Sequence, residues 1–105
     1  MTDALVVIAT IRPRVGHHAE VAKILREFIA KVLTDDQGCE LYALHQSGGD
    51  FVVVEKWSSR DHLNAHMGSK KFQSLQSQLA SLIGEKVPTT LAIATPSTRD
   101  ERGRL

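Results

Sequence analysis

An α+β fold built on one antiparallel sheet is predicted by three observations. Leu5-Val6-Val7-Ile8-Ala9 and Phe51-Val52-Val53-Val54 are apolar at every residue and rich in β-branched side chains, the pattern of short buried strands. Between them Val21, Ile24, Leu25, Phe28, Ile29, Val32 and Leu33 recur at alternating steps of three and one, which gathers them on a single helical stripe. Because strand side chains alternate between faces, an unbroken apolar run hides both faces, whereas the helices available here cover only one. The uncovered face is therefore expected to meet a second copy of the chain in a two-fold dimer.

The first strand is predicted over Ala4 to Ile11, ending where Arg12-Pro13-Arg14-Val15-Gly16 brings a proline and a glycine that break the ladder. The amphipathic helix follows, and Asp35-Asp36-Gln37-Gly38 ends it. Cys39 to Gln46 and Phe51 to Trp57 then read as a hairpin joined by Ser47-Gly48-Gly49-Asp50. Ser58 and Ser59 can cap a short second helix, with Asp61 placed against its positive end. Gly68-Ser69 interrupts that helix; Phe72, Leu75, Leu79, Leu82 and Ile83 mark the inner face of a third, which Gly84 closes. The last strand is predicted over Lys86 to Thr95, with Pro88 at its start or on a sheet edge because proline has no ladder donor.

The resulting order, β-α-β-β-α-α-β, is the split β-α-β plan of ferredoxin-like folds with the second helical connection broken in two. One domain over residues 1–96 is expected, followed by a polar, mobile tail over 97–105. A chain of 105 residues with 42% apolar composition supports one core and not two. The 13 basic and 12 acidic residues are scattered and leave a formal charge of +1, so no basic stripe marks a nucleic-acid binder. No apolar run approaches the roughly 20 residues that span a bilayer, and the amino terminus lacks the pattern of an export signal. The expectation is a cytoplasmic protein that binds neither nucleic acid nor membrane. The lone Cys39 has no internal disulfide partner and is read as filling space at a strand's start.

Residue period places Glu55 and Trp57 on one face of the third strand with Phe51 and Val53. In the short helix, Leu63, His66 and Met67 share a stripe, so His66 points where its apolar companions do, toward the sheet. If the helices pack on the face bearing Trp57, then Glu55, Trp57 and His66 surround one space, walled by Phe72 and part of the first helix. Such a space suits a flat, partly polar organic molecule: the indole stacks and the imidazole accepts a proton near neutral pH. Glu55 orients that imidazole or binds a hydroxyl, and needs a partner because an unpaired buried carboxylate is costly. Equally, an aromatic and a histidine between helix and sheet often just complete a core. Tyr42 and His45 are three apart on the second strand and so fall on opposite faces; only one of them sees the space. His17, His18 and His62 fall at helix starts, and His62 with His66 at an offset of four is too few ligands for a metal site. The chain also lacks a phosphate-cradling Gly-rich loop, a nucleophile elbow and a thiol pair, so any reaction depends on proton transfer and substrate positioning.

The opening strand, Gly38-Cys39-Glu40-Leu41-Tyr42, Glu55-Lys56-Trp57-Ser58-Ser59 and the Leu63 to Phe72 segment resemble the antibiotic biosynthesis monooxygenase family, over nearly the whole chain up to Pro96. The Glu-x-Trp-x-Ser block, followed by Ala65-His66 and Ser69-x-x-Phe72, is similar to the small quinol monooxygenase branch. The resemblance implies a dimeric ferredoxin-like α+β barrel. It also implies oxygenation of a phenolic or quinol-like compound by molecular oxygen without flavin, haem or metal, the electron-rich substrate supplying the electrons. On that carry-over Trp57 lines the pocket and His66 hydrogen-bonds or deprotonates a substrate hydroxyl. Haem degradation is disfavoured because Leu5 to Ile11 lacks the asparagine those enzymes present. Isomerisation of a small hydroxy-carbonyl compound, served by Tyr42, His45, Glu55 and His66, and a purely binding role stay open beside it.

Overall fold

A four-stranded antiparallel sheet runs in the order β2-β3-β1-β4, from β1 (Leu5–Ile11), β2 (Cys39–Ser47), β3 (Asp50–Trp57) and β4 (Thr90–Ile93). The computed structural model describes residues 3–97 and 99–105. Met1 and Thr2 of the expected domain, and Thr98 of the expected tail, lie outside the described residues. Helix α1 (His18–Asp35) connects β1 to β2, and α2 (Arg60–Met67) with α3 (Lys70–Leu79) connects β3 to β4, so the ferredoxin-like α+β plan is realised.

The two central strands pair Leu5 with Trp57, Val7 with Glu55 and Ala9 with Val53. This register puts Leu5, Val7, Phe51, Val53, Glu55 and Trp57 beneath the helices, and all six are buried. From α1 the buried residues are Val21, Ala22, Leu25, Phe28 and Val32, whereas Leu33, expected on the stripe, is 59% exposed at its edge. Ser59 caps α2 as the sequence predicts, accepting from the amide of His62, and Ser69, read in the sequence only as an interruption, caps α3 by accepting from the amide of Phe72.

Two boundaries differ from expectation, each for a backbone reason. Helix α3 stops at Leu79 and not at Gly84. Beyond it Leu82 O accepts from Arg14 N at 2.8 Å and Gly84 N donates to Arg12 O at 2.7 Å, so residues 82–84 dock onto the end of β1 instead of continuing the helix. Strand β4 is confined to Thr90–Ile93, shorter than Lys86 to Thr95, because only Thr90 to Ile93 find partners on β1. The tail forms a one-turn 3-10 helix at Glu101–Gly103, and Lys56 donates to the Leu105 carbonyl.

The opposite sheet face stays open. Val6, Ile8, Leu41, Ala43, Val52 and Val54 point there by register, and Ile8 is 39% exposed.

Candidate functional site

Helix α1 ends at a residue that does more than terminate it. Asp36 caps α1 in extended conformation, its N–H bonded to Val32 O at 2.9 Å, and this turns its carboxylate toward the junction of α2 and α3. The chain then passes Gly38 at φ +77°, where a Cβ would stand 2.3 Å from Cγ of His62. Only glycine accepts both that backbone and that approach, so α2 seats closely against the loop. Ser58 N donates to Gly38 O at 2.8 Å and adds a second tie.

That docking delivers His66 into the core. Its Nδ1 donates to Asp36 Oδ2 at 2.6 Å, and Lys71 donates to the other carboxylate oxygen. The side chains of His66 and Asp36 are 1% and 9% exposed. The imidazole is ringed by Trp57, Phe72, Tyr42 and Phe28, with centroids 4.6, 5.2, 5.6 and 5.8 Å away. Among the described residues its buried Nε2 has no hydrogen-bond partner. Burial of an imidazole disfavours its charged form, and this outweighs the pull of Asp36, so the His66 pKa falls below its ordinary value. Asp36 is pushed up by burial, but the hydrogen bonds from Lys71 and His66 prevail and hold its carboxyl below the usual range. At neutral pH the arrangement is a lysine cation, an aspartate and a neutral imidazole.

Glu55, buried on β3, accepts from Trp57 Nε1 at 2.9 Å and faces Tyr42 across the β2-β3 pair. Burial raises the Glu55 pKa against the hydrogen bonds from Trp57 and Tyr42, and burial likewise drives the Tyr42 phenol upward.

A cavity of about 750 Å³ opens between helices and sheet. His66, Glu55, Tyr42 and Phe72 line it together with apolar groups such as Val7, Leu25, Val53 and Leu79, and Arg14 and Lys86 stand elsewhere on its wall. Its size and mostly apolar lining are those of a small-molecule site.

The structure brings His66, Glu55 and Phe72 together, and of Tyr42 and His45, which the sequence leaves as alternatives, it places Tyr42 with them. His45 is not among them: it pairs with Val52 on the open face, where its ring bonds the Val52 carbonyl at 3.3 Å. Trp57, expected as a cavity wall, does not line the cavity; it is 0% exposed and sits behind His66, its ring against the imidazole and its N–H spent on Glu55. Asp36 and Lys71 were not foreseen. Their signal is long-range, 30 and 35 residues between partners, and Asp36 reads locally as part of a helix stop. His62 bonds to Ser59 Oγ at 2.7 Å, and no group of three metal-ligating side chains occurs among the described residues.

Comparison with known proteins agrees with this architecture. Residues 4–78 match the family model described as antibiotic biosynthesis monooxygenase. Rv0793 of Mycobacterium tuberculosis, named a candidate monooxygenase, is 31% identical over 93 residues, which cover 87% of this chain and 91% of that protein. Its solved structure matches with a TM-score of 0.78 at 28% identity, over 93% of this chain and 97% of that one. A candidate antibiotic biosynthesis monooxygenase from Caulobacter crescentus matches with a TM-score of 0.85 at 25% identity, over 90% of this chain and 92% of that one. A family match that takes in most of the chain, together with a fold shared over nearly its full length, means that this chain belongs to the antibiotic biosynthesis monooxygenase family.

Proposed function

We propose that the protein is a cofactor-independent monooxygenase that oxidises a quinol-like or polyphenolic compound with molecular oxygen. The observation that carries this reading is the buried His66 on the cavity wall, its Nε2 unpartnered and its pKa lowered, so that a base is available at neutral pH. A phenol loses its proton to Nε2, and the resulting phenolate is electron-rich enough to reduce oxygen directly. For a simple hydroquinone the balance closes without an external reductant: hydroquinone and O2 give hydroxyquinone and water, all four electrons coming from the substrate. Glu55 and Tyr42 supply polar contacts at the same end of the cavity, Phe72 supplies a flat wall, and Trp57 acts through Glu55 and His66.

The test is oxygen uptake by purified, colourless, metal-free protein against a panel of hydroquinones. Turnover that slows at least tenfold in His66→Ala supports the reading; uptake no faster than the protein-free rate overturns it. One observation favours a second reading: Glu55 and His66 line the same cavity, and enolisation of a hydroxy-carbonyl compound needs two groups that can exchange protons with it. That isomerase predicts anaerobic turnover with exchange of a carbon-bound hydrogen for solvent deuterium. Saturable thermal stabilisation by a ligand that emerges unchanged marks a binding role instead.

The working form is proposed to be a homodimer. The open face carries Val6, Ile8, Val52 and Val54, and pairing two such faces encloses apolar side chains that one chain leaves wet.

A further inference from the structure

We propose that Asp36 and Lys71 are positioning residues that hold His66 in the tautomer protonated on Nδ1, which leaves the lone pair on Nε2. The inference deepens the proposed function and rests on His66 as its base.

An imidazole 2.6 Å from a carboxylate oxygen through Nδ1 donates there, because the carboxylate has no proton to give. In the neutral ring the remaining nitrogen then carries the lone pair. A carboxylate alone would also favour the imidazolium, which is useless as a base. Lys71 counters this by occupying the second oxygen of Asp36, so the ion pair is balanced before the histidine takes part. Three elements supply the three groups: Asp36 at the end of α1, His66 on α2 and Lys71 in the first turn of α3. The α2-α3 junction is itself clamped, since Ser69 Oγ donates to the His66 carbonyl at 2.7 Å while accepting from Phe72 N. A tie between helices needs only the ion pair of Asp36 and Lys71. Spending a buried histidine on the same carboxylate, with its other nitrogen unpartnered, is the arrangement of a base held ready.

The other titratable groups facing the imidazole are Glu55 on β3 and Tyr42 on β2; Trp57, Phe28 and Phe72 complete its surroundings without charge. Neither Glu55 nor Tyr42 contacts Nδ1, so the tautomer is set by Asp36.

The deciding measurement is the nitrogen NMR spectrum of the histidine-labelled full-length protein at neutral pH, which distinguishes a protonated from a bare ring nitrogen and needs no substrate. Wild type is expected to show His66 with a protonated Nδ1 and a bare Nε2; Asp36→Asn is expected to lose that fixed state. With a turned-over hydroquinone, Asp36→Asn should lower kcat at least tenfold with KM changed less than threefold. Lys71→Met should move the acidic limb of the kcat/KM profile to higher pH, because the cation no longer opposes the imidazolium, and Lys71→Arg should restore it. A protonated Nε2 in wild type overturns the proposal, as does a folded Asp36→Asn protein with an unchanged tautomer. Should Asp36→Asn fail to fold, the wild-type spectrum and the Lys71 pair still decide. Should no hydroquinone turn over, the proposed oxygenase falls while the tautomer result stands or falls separately.

Discussion

The two faces of one sheet have been given different work, and β3 shows it residue by residue. Toward the helices it presents Phe51, Val53, Glu55 and Trp57, all buried, with the carboxylate bonded to the indole. Away from them it presents Val52, Val54 and Lys56, all only partly covered. The covered face carries the ionisable groups that the fold must satisfy; the open face is aliphatic over β1 and β3, with polar side chains such as His45 and Lys56 among them. Burial of an ionisable group is costly without partners, and the covered face meets that demand with Asp36, Lys71 and Trp57. An aliphatic patch makes no such demand, only that water be excluded. On the proposed function, chemistry belongs to the first side and association to the second.

The largest effect is expected where that division is attacked from the open side. Charges introduced by Ile8→Lys with Val54→Lys meet their own copies across a two-fold interface, and should weaken association by about a thousandfold or more. Sedimentation at micromolar concentration checks it: wild type should run as a dimer and the double variant as a folded monomer. A wild type already monomeric breaks the comparison at its root. Next comes the histidine pair. His66→Ala should lower oxygen uptake on the order of a hundredfold, within the range for loss of a general base, while His45→Ala on the other face should stay within about twofold. Equal losses would show that the faces are not functionally distinct.

A third probe acts on how the covered face is assembled. Gly38→Ala forces an unfavourable backbone at φ +77° and drives a methyl into the His62 ring, so it should destabilise by about 2 kcal/mol or more. That corresponds to a fall in Tm of about 10 °C for a domain of this size, readable by calorimetry. Gly48→Ala, also at positive φ but with open space around it, should cost less. The difference between the two measures the His62 contact alone.

What was legible in the sequence follows the same division by range of interaction. The turn of the β2-β3 hairpin, the helix cap at Ser59, and the inward direction of His66 beside Leu63 are local, set by residues at most four apart. The even-numbered apolar residues of β1 and β3 likewise announced a second face in need of cover. Illegible were the contacts that depend on where distant segments meet. Leu82 and Ile83 continue the apolar spacing of α3, yet their carbonyls accept from Arg14, and the next amide, Gly84 N, donates to Arg12 O, about 70 residues earlier. Asp36 lies in a run that reads as a helix stop, and nothing near it announces a histidine on α2. Trp57 has the right face but the wrong depth, because periodicity gives direction and not distance from a cavity.

The smallest effect expected is in the pH dependence of stability, and it probes the covered face without any assay of function. Burial lowers the His66 pKa from 6.5, so folding favours the neutral ring; the resulting stability is present above about pH 6.5 and is lost as pH falls through the folded value. Glu55 has the opposite slope, because burial raises its pKa from 4.5: its contribution is complete below that value and is lost as pH rises through the folded one. Asp36, with a lowered pKa, loses its contribution only as pH falls below about 3.8, outside the range of interest. The two buried groups act with opposite sign, and a difference measurement isolates the contribution of His66. The gap in Tm between wild type and His66→Gln should narrow as pH is lowered from about 7 to about 5. A His66→Gln gap that does not change over that range would mean an imidazole that titrates as freely in the fold as out of it, and would remove burial as the feature that sets His66 apart.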